Sequence, residues 1–210
     1  MLQPKELIVA RSLPTRENLW LRDFATIFAH TWYRDFPIQK TYRDAAKRAD
    51  WTIHLGIAVR NAAELLGLFS HFESGGRTDV ILRDAQKKPI AALEWEWERL
   101  QTQPKELQKL KDNCKKQEFE GLRFACLIGY SKENEAPTHI AWIEPKWDGI
   151  PFPLLLVAIH YRWKHQQRHF TKLTIHEIRD GKAVLLREQP AYPWEVKGAR
   201  WASEDAPTTQ

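Results

Sequence analysis

Residues 75–98 read GGRTDVILRDAQKKPIAALEWEWE, two runs of β-forming residues around a polar turn. Val80, Ile81 and Leu82 favour a strand, 84–89 is a turn cluster, and 90–97 returns as a second strand. Alternate strand side chains share a face, so Glu94, Glu96 and Glu98 project together, with Ile90 and Ala92 ahead of them, while Leu93, Trp95 and Trp97 project the other way. Carboxylates stacked along one face repel one another unless a cation or water relieves them. With the turn centred near Gln86, Asp79 falls opposite Glu94, and two strands then present oxygen ligands of the kind Mg²⁺ or Mn²⁺ takes. The same alternation also describes a strand with one wet face.

Working outward, 17–36 places Trp20, Phe24, Ile27, Phe28 and Trp32 at helical spacing, and Pro37 ends that helix. A second stripe from Trp51 through Leu55, Ala58, Val59, Ala62, Leu65 and Leu66 predicts a helix over 39–68, with Gly56 as a bend or break. A short strand is expected at 70–73. After the hairpin, 104–117 reads as a helix that buries Leu107, Leu110 and Cys114 and carries Lys105, Lys109 and Lys116 on another side. The run 122–130, LRFACLIGY, is apolar on both faces, as suits a central strand parallel to the one bearing Glu94. Further strands are expected at 139–143 and 154–161, and Asp180-Gly181 joins 173–178 to 183–187 as a hairpin.

Asp79, a turn, then Glu94-Trp95-Glu96 resembles the acidic core of the PD-(D/E)xK nuclease superfamily, whose fold is restriction-endonuclease-like. The resemblance covers residues 50–130. Thr78 stands where the family usually has proline and Glu96 where it has lysine; a minority of restriction enzymes carry Glu-x-Glu. What the resemblance implies is an α/β domain over 1–201, with its core at 39–165, a mixed sheet flanked by helices, an N-terminal helical segment and a C-terminal β-hairpin. It implies an Mg²⁺- or Mn²⁺-dependent endonuclease acting on DNA. Asp79 and Glu94 would hold the metal, the Trp95 carbonyl would be a further ligand, and Glu96 would hold or deprotonate the attacking water. Glu64 would be the extra acid that a helix before the core strands often supplies, and Glu98 would assist at the rim. Lys109 or Lys105 would replace the missing strand lysine, as happens in some relatives. The alternative is a nuclease-like fold that has lost its chemistry and binds nucleic acid or protein.

Charge distribution adds a partner surface. The net charge is +5, and no acid occurs between Asp148 and Glu177, a span that holds Arg162, Lys164, Arg168 and Lys172 with His160, His165 and His169. Such a segment suits a phosphate backbone. Lys105 is a further phosphate contact, and Trp147, Trp163 and Trp194 lie among basic or proline-rich segments where they could stack on bases. The histidine spacing fits no zinc pattern, and neither a GxxxxGK[ST] loop nor a GxSxG elbow occurs. No apolar run is long enough to cross a bilayer, no signal-peptide core opens the chain, and the two cysteines form no ligand pair. A cytoplasmic protein is expected, with a polar, disordered tail over 202–210 and room for a homodimer.

Overall fold

The structure is a computed structural model that describes residues 16–37, 48–74, 78–99, 104–113, 115–164 and 167–198. Its side chains are not described at Trp97, Glu98, Arg99, Lys164 and Gln167, among others. Seven strands form one mixed sheet in sequence order: β1 (Phe69–Ser74), β2 (Thr78–Arg83), β3 (Pro89–Arg99), β4 (Phe124–Lys132), β5 (Leu154–Lys164), β6 (Gln167–Arg179) and β7 (Lys182–Pro190). The pairs β3–β4 and β4–β5 are parallel, and the others antiparallel. Four helices flank it: α1 (Arg16–Arg34), α2 (Arg48–Leu65), α3 (Pro104–Asn113) and α4 (Ala136–Ile143). The mixed α/β architecture expected from the sequence is present.

Two hydrophobic layers enclose the sheet. On one face α1 and α2 pack through Leu21, Phe24, Phe28, Trp32, Trp51, Leu55 and Val59 against Val80, Leu93, Phe124, Cys126 and Val157. The α1 residues recur at i, i+3/i+4, the spacing that puts side chains on one helical stripe, and each large one buried is worth roughly 1.5–3 kcal/mol. On the other face α3, the end of α4 and the stretch after it pack through Leu107, Leu110, Ile143 and Trp147 against Ile81, Ala92, Ala125, Leu127 and Leu156. β4 is buried on both sides, as its unbroken apolar run predicts.

Local chemistry sets the boundaries. Helix α2 runs unbroken through Gly56, so no break forms there; residues 39–47 of the expected helix lie outside the described residues. Gly67 ends it with φ 71°, its N–H donating to the Glu64 carbonyl at 3.0 Å while Leu68 N–H reaches the Ala63 carbonyl at 2.9 Å. This pair of bonds satisfies the last free carbonyls of the helix. The β2–β3 turn is held by Asp84, whose Oδ1 accepts from the N–H groups of Gln86 and Lys88 at 2.9 and 2.8 Å. The β6–β7 turn is at Asp180-Gly181, both with positive φ, as the hairpin signal requires.

Two expectations fail here. Residues 139–143 are helical rather than a strand: Pro137 lies in the first turn of α4, and His139 and Ile143, one turn apart, are buried on its inner side. The apolar run was too short for periodicity to separate the two. Ile90, expected on the face of the glutamates, packs instead with the α1/α2 layer, beside the register shift at Arg83. No helix among the described residues is long and apolar enough to cross a membrane.

Candidate metal and phosphodiester site

The site is built where β2 begins and β3 begins to leave the core. Val80 pairs with Leu93 and Ile81 with Ala92, so the register carried one step on sets Asp79 opposite Glu94. The Asp79 carboxylate accepts a 2.7 Å bond from Trp95 N–H through Oδ2, which turns the side chain toward β3. Glu94 continues the face of Ala92, the face covered by α3, and is fully buried. The parallel crossover from β3 to β4 lays α3 over that face. Leu107 and Leu110 anchor it, and Lys109 reaches Glu94 Oε2 with its Nζ at 3.1 Å.

Asp79, Glu94, Glu96 and Lys109 thus line one cleft of about 290 Å³ with Arg48 and Thr52 of α2 and Glu106 of α3. Glu96 pairs with Arg48 at 3.4 Å, and Glu106 lies 3.8 Å from Lys109. Among the described residues four carboxylates face two cations here. The surplus is visible in the bonding: neither Oε1 of Glu94 nor Oε2 of Glu106, both buried, meets a donor. Burial first, and then the neighbouring Asp79 charge, pushes the Glu94 carboxyl up to about 8. Burial likewise holds Asp79 above the usual carboxylate range, against the pull of Trp95 N–H and Lys109. Lys109 is raised: partial burial works against its charge, but the Glu94 hydrogen bond and the surrounding carboxylates outweigh it. A desolvated carboxylate pair with an unpaired oxygen is an unstable arrangement unless a proton or cation occupies it.

The fit of a divalent cation follows from that imbalance. Among the described residues no group of three or more His, Cys, Asp or Glu is spaced to hold a metal. Two carboxylates are nevertheless what Mg²⁺ commonly takes from a protein in phosphoryl-transfer sites, with waters and substrate phosphate as the remaining ligands. Asp79 and Glu94 match that donor set, and a cation would take the place of the proton the two carboxyls share while Glu94 is neutral.

The other expected site residues are dispersed. Glu64 pairs with Arg60 at 2.8 Å and lines a separate groove beside β1, so it does not join the carboxylates. Lys105 lies on the opposite flank of α3 with Trp142 and Lys146. Alternation splits the basic segment between two faces of the sheet: Arg162 pairs with Glu133, Lys172 pairs with Glu188 at 2.9 Å, and Arg168 stacks over Tyr161 on the α1/α2 side. The side chain of Lys164 and all of His165 lie outside the described residues, as do Cys114, the Glu98 side chain, the 75–76 turn and the 202–210 tail.

His160 is no phosphate contact; it is buried, its Nε2 2.8 Å from Thr174 Oγ1. Trp147 is likewise buried, its indole N–H donating to the Phe152 carbonyl. Arg48, Thr52 and Glu106 were not anticipated. Glu106 stands one turn before Leu110 and three residues before Lys109, a spacing that could have flagged it; nothing local marks Arg48, which arrives from α2. No family model matches this chain, and no curated protein matches it.

Proposed function

We propose that this protein is a metal-dependent nuclease that hydrolyses phosphodiester bonds in DNA. The observation that carries the reading is the Glu94 carboxylate: fully buried, set opposite Asp79, bonded on one oxygen to Lys109 and with no protein donor on the other. Asp79 and Glu94 are the residues that would hold Mg²⁺ or Mn²⁺. When bound there, the ion supplies Lewis acidity at the scissile phosphate and a hydroxide nucleophile near neutral pH.

The protein's own groups do the rest. Lys109, fixed by Glu94, offers its remaining N–H bonds to a non-bridging phosphate oxygen and balances charge as it develops. Glu96, only partly buried and held by Arg48, stands two residues along the same strand face and accepts the proton of the attacking water. The helix-borne Lys109 thereby takes the part that the resemblance assigns to a strand lysine, and this supports the superfamily reading. Arg162, Arg168, Lys172 and Lys105 lie around the fold as backbone contacts rather than as one strip, with Lys164 assigned to the same role from sequence alone. A cytoplasmic location and a homodimer remain part of this proposal.

A second reading rests on the Lys109–Glu94 ion pair. It already neutralises one charge in place, which permits a nuclease-like module that binds DNA without cutting it. Incubating supercoiled plasmid and single-stranded DNA with Mg²⁺, Mn²⁺ or EDTA separates the two. Cutting that needs metal and falls to background in Glu94→Ala is the expected outcome. Binding without cutting in every metal selects the second reading.

A further inference from the structure

At the far end of the parallel strands the β5–β6 hairpin runs past β4, whose last pairing is Lys132 with Tyr161. On this projecting part Trp163 is 54% exposed, although most tryptophans described here are buried or half-buried. Its indole is held from behind. It meets the buried Tyr161 ring edge-on at 5.9 Å, and the Arg168 guanidinium lies 4.7 Å from the Tyr161 ring centre, 5.5 Å from Tyr130 and 6.0 Å from Trp163. An aromatic ring braced this way loses little freedom when a second flat group stacks on it.

The ring opens on a groove of about 420 Å³ whose other walls are Lys132, Glu133, Asn134, Tyr161 and Arg162. An exposed indole inside a polar rim suits a ligand with a flat aromatic body and hydrogen-bonding edges. It does not suit an apolar protein surface, for which the exposed Ile53, Ile57, Leu65, Phe69 and Phe72 of α2 and β1 offer far more area. The volume is that of a small-molecule site. Asn134 offers both donor and acceptor to a base edge. Glu133, the acid in the groove, is already neutralised by Arg162, and Lys132 is paired with Glu135 at 3.4 Å. Stacking, more than charge, therefore distinguishes this groove.

Its place relative to the carboxylates matters. Glu96 is level with Gly129, Gly129 with Ala158, and Trp163 stands further toward the same end of β5. Strand rise and spacing put the two backbone positions roughly 20 Å apart; Trp163 shares the α1/α2 side with Tyr161 and Glu94 lies under α3, so a strand that reaches both passes around this end of the sheet.

We propose that the Trp163 groove receives an unpaired nucleotide of the substrate, so that the cleft acts on single-stranded or frayed DNA rather than on uninterrupted duplex. This rests on the nuclease reading for what happens at Glu94, while the groove is tested by binding alone. The experiment is fluorescence anisotropy with a labelled oligothymidylate and a blunt duplex of equal length, in EDTA, for wild type, Trp163→Ala and Trp163→Phe.

Wild type is expected to favour the single strand. Trp163→Ala should weaken that binding by roughly ten-fold or more, leave duplex binding and the melting temperature unchanged, and be largely rescued by Trp163→Phe. Equal affinity of Trp163→Ala and wild type for the single strand, or a wild-type preference for duplex, overturns the proposal. If wild type binds neither DNA in EDTA, the groove falls, and cutting of the same oligonucleotide in Mn²⁺ decides the nuclease reading on its own. Trp163-dependent binding with no cutting of the same oligonucleotide in Mn²⁺ upholds the groove and sinks only the nuclease reading.

Discussion

The sheet buries two sets of titratable side chains, and they behave differently. At the start of β2 and in β3, Asp79 and Glu94 lie under Lys109 beside an open cleft. Across β5 and β6, His160 and His176 lie beside Thr174, with Lys172 and Glu188 at the edge. Both sets are pushed toward their neutral forms by burial, Glu94 upward to about 8 and His160 downward to about 4. For a histidine the neutral form is the ordinary one at neutral pH, so burial there costs little and the group can serve as core. For a carboxylate the neutral form must be forced, and the strain remains available to any cation that enters. Similar burial thus gives a structural cluster in one place and a candidate site in the other.

The contrast is tested most severely at Lys109. Lys109→Met keeps the stem that covers Glu94 but removes the charge, and cleavage should fall by about 10²–10³-fold while the variant still folds at neutral pH and below, where Glu94 is protonated. Plasmid nicking in Mn²⁺ measures the first, and thermal melting the second. Full activity in this variant would reduce the cleft to a polar patch.

Next in size is the pH dependence. Glu94 binds its proton more tightly folded than unfolded, so its contribution to stability is complete below 4.5 and is lost as pH rises toward about 8. Glu94→Gln should remove that decline and stabilise the protein at pH 8 by on the order of a few kcal/mol. Added Mn²⁺ should raise the wild-type melting temperature at that pH and leave Glu94→Gln unmoved. Urea melts across the range check the sign.

His160 gives the opposite limb. Its folded value is depressed, first by burial and then by Lys172, so the stability it protects is complete above 6.5 and is lost as pH falls toward about 4. His160→Gln should flatten this acid limb by on the order of 1 kcal/mol or more, with nicking at neutral pH unchanged. A loss of nicking would join the two clusters that are separated here. The smallest effect is expected at Glu64, whose side chain is 56% exposed in an i,i+4 pair with Arg60. Glu64→Ala should change stability by less than about 0.5 kcal/mol and leave metal-dependent cutting intact.

The hairpin and the pairing of Asp79 with Glu94 were legible because strand alternation and turn chemistry are local rules, whereas the register shift at Arg83 that puts Ile90 in the other layer was not. Beyond the shift at Arg83 the register must hold, because a slip by one residue would turn every side chain of β3 over. The helix at 136–143 was not legible. Its apolar residues are too few for one period to win over another, and the helix exists because Ile143 finds a layer to pack against and His139 a partner in Ser131. The basic segment was misread for a related reason: nearness in sequence suggested one surface, whereas β alternation sends Arg162 and Arg168 to opposite faces.

By itself the sequence determined the α/β class, the strand that carries the glutamates and the lysines that follow it, since each depends on neighbours a few residues away. Only the tertiary structure decided that Lys109 rather than Lys105 meets Glu94, that Glu64 stands apart, and that Arg48 and Glu106 close the cleft. Those choices depend on how α2 and α3 pack across the sheet, where residues distant in sequence share one desolvated space and the strength of every charge is set by what lies beside it.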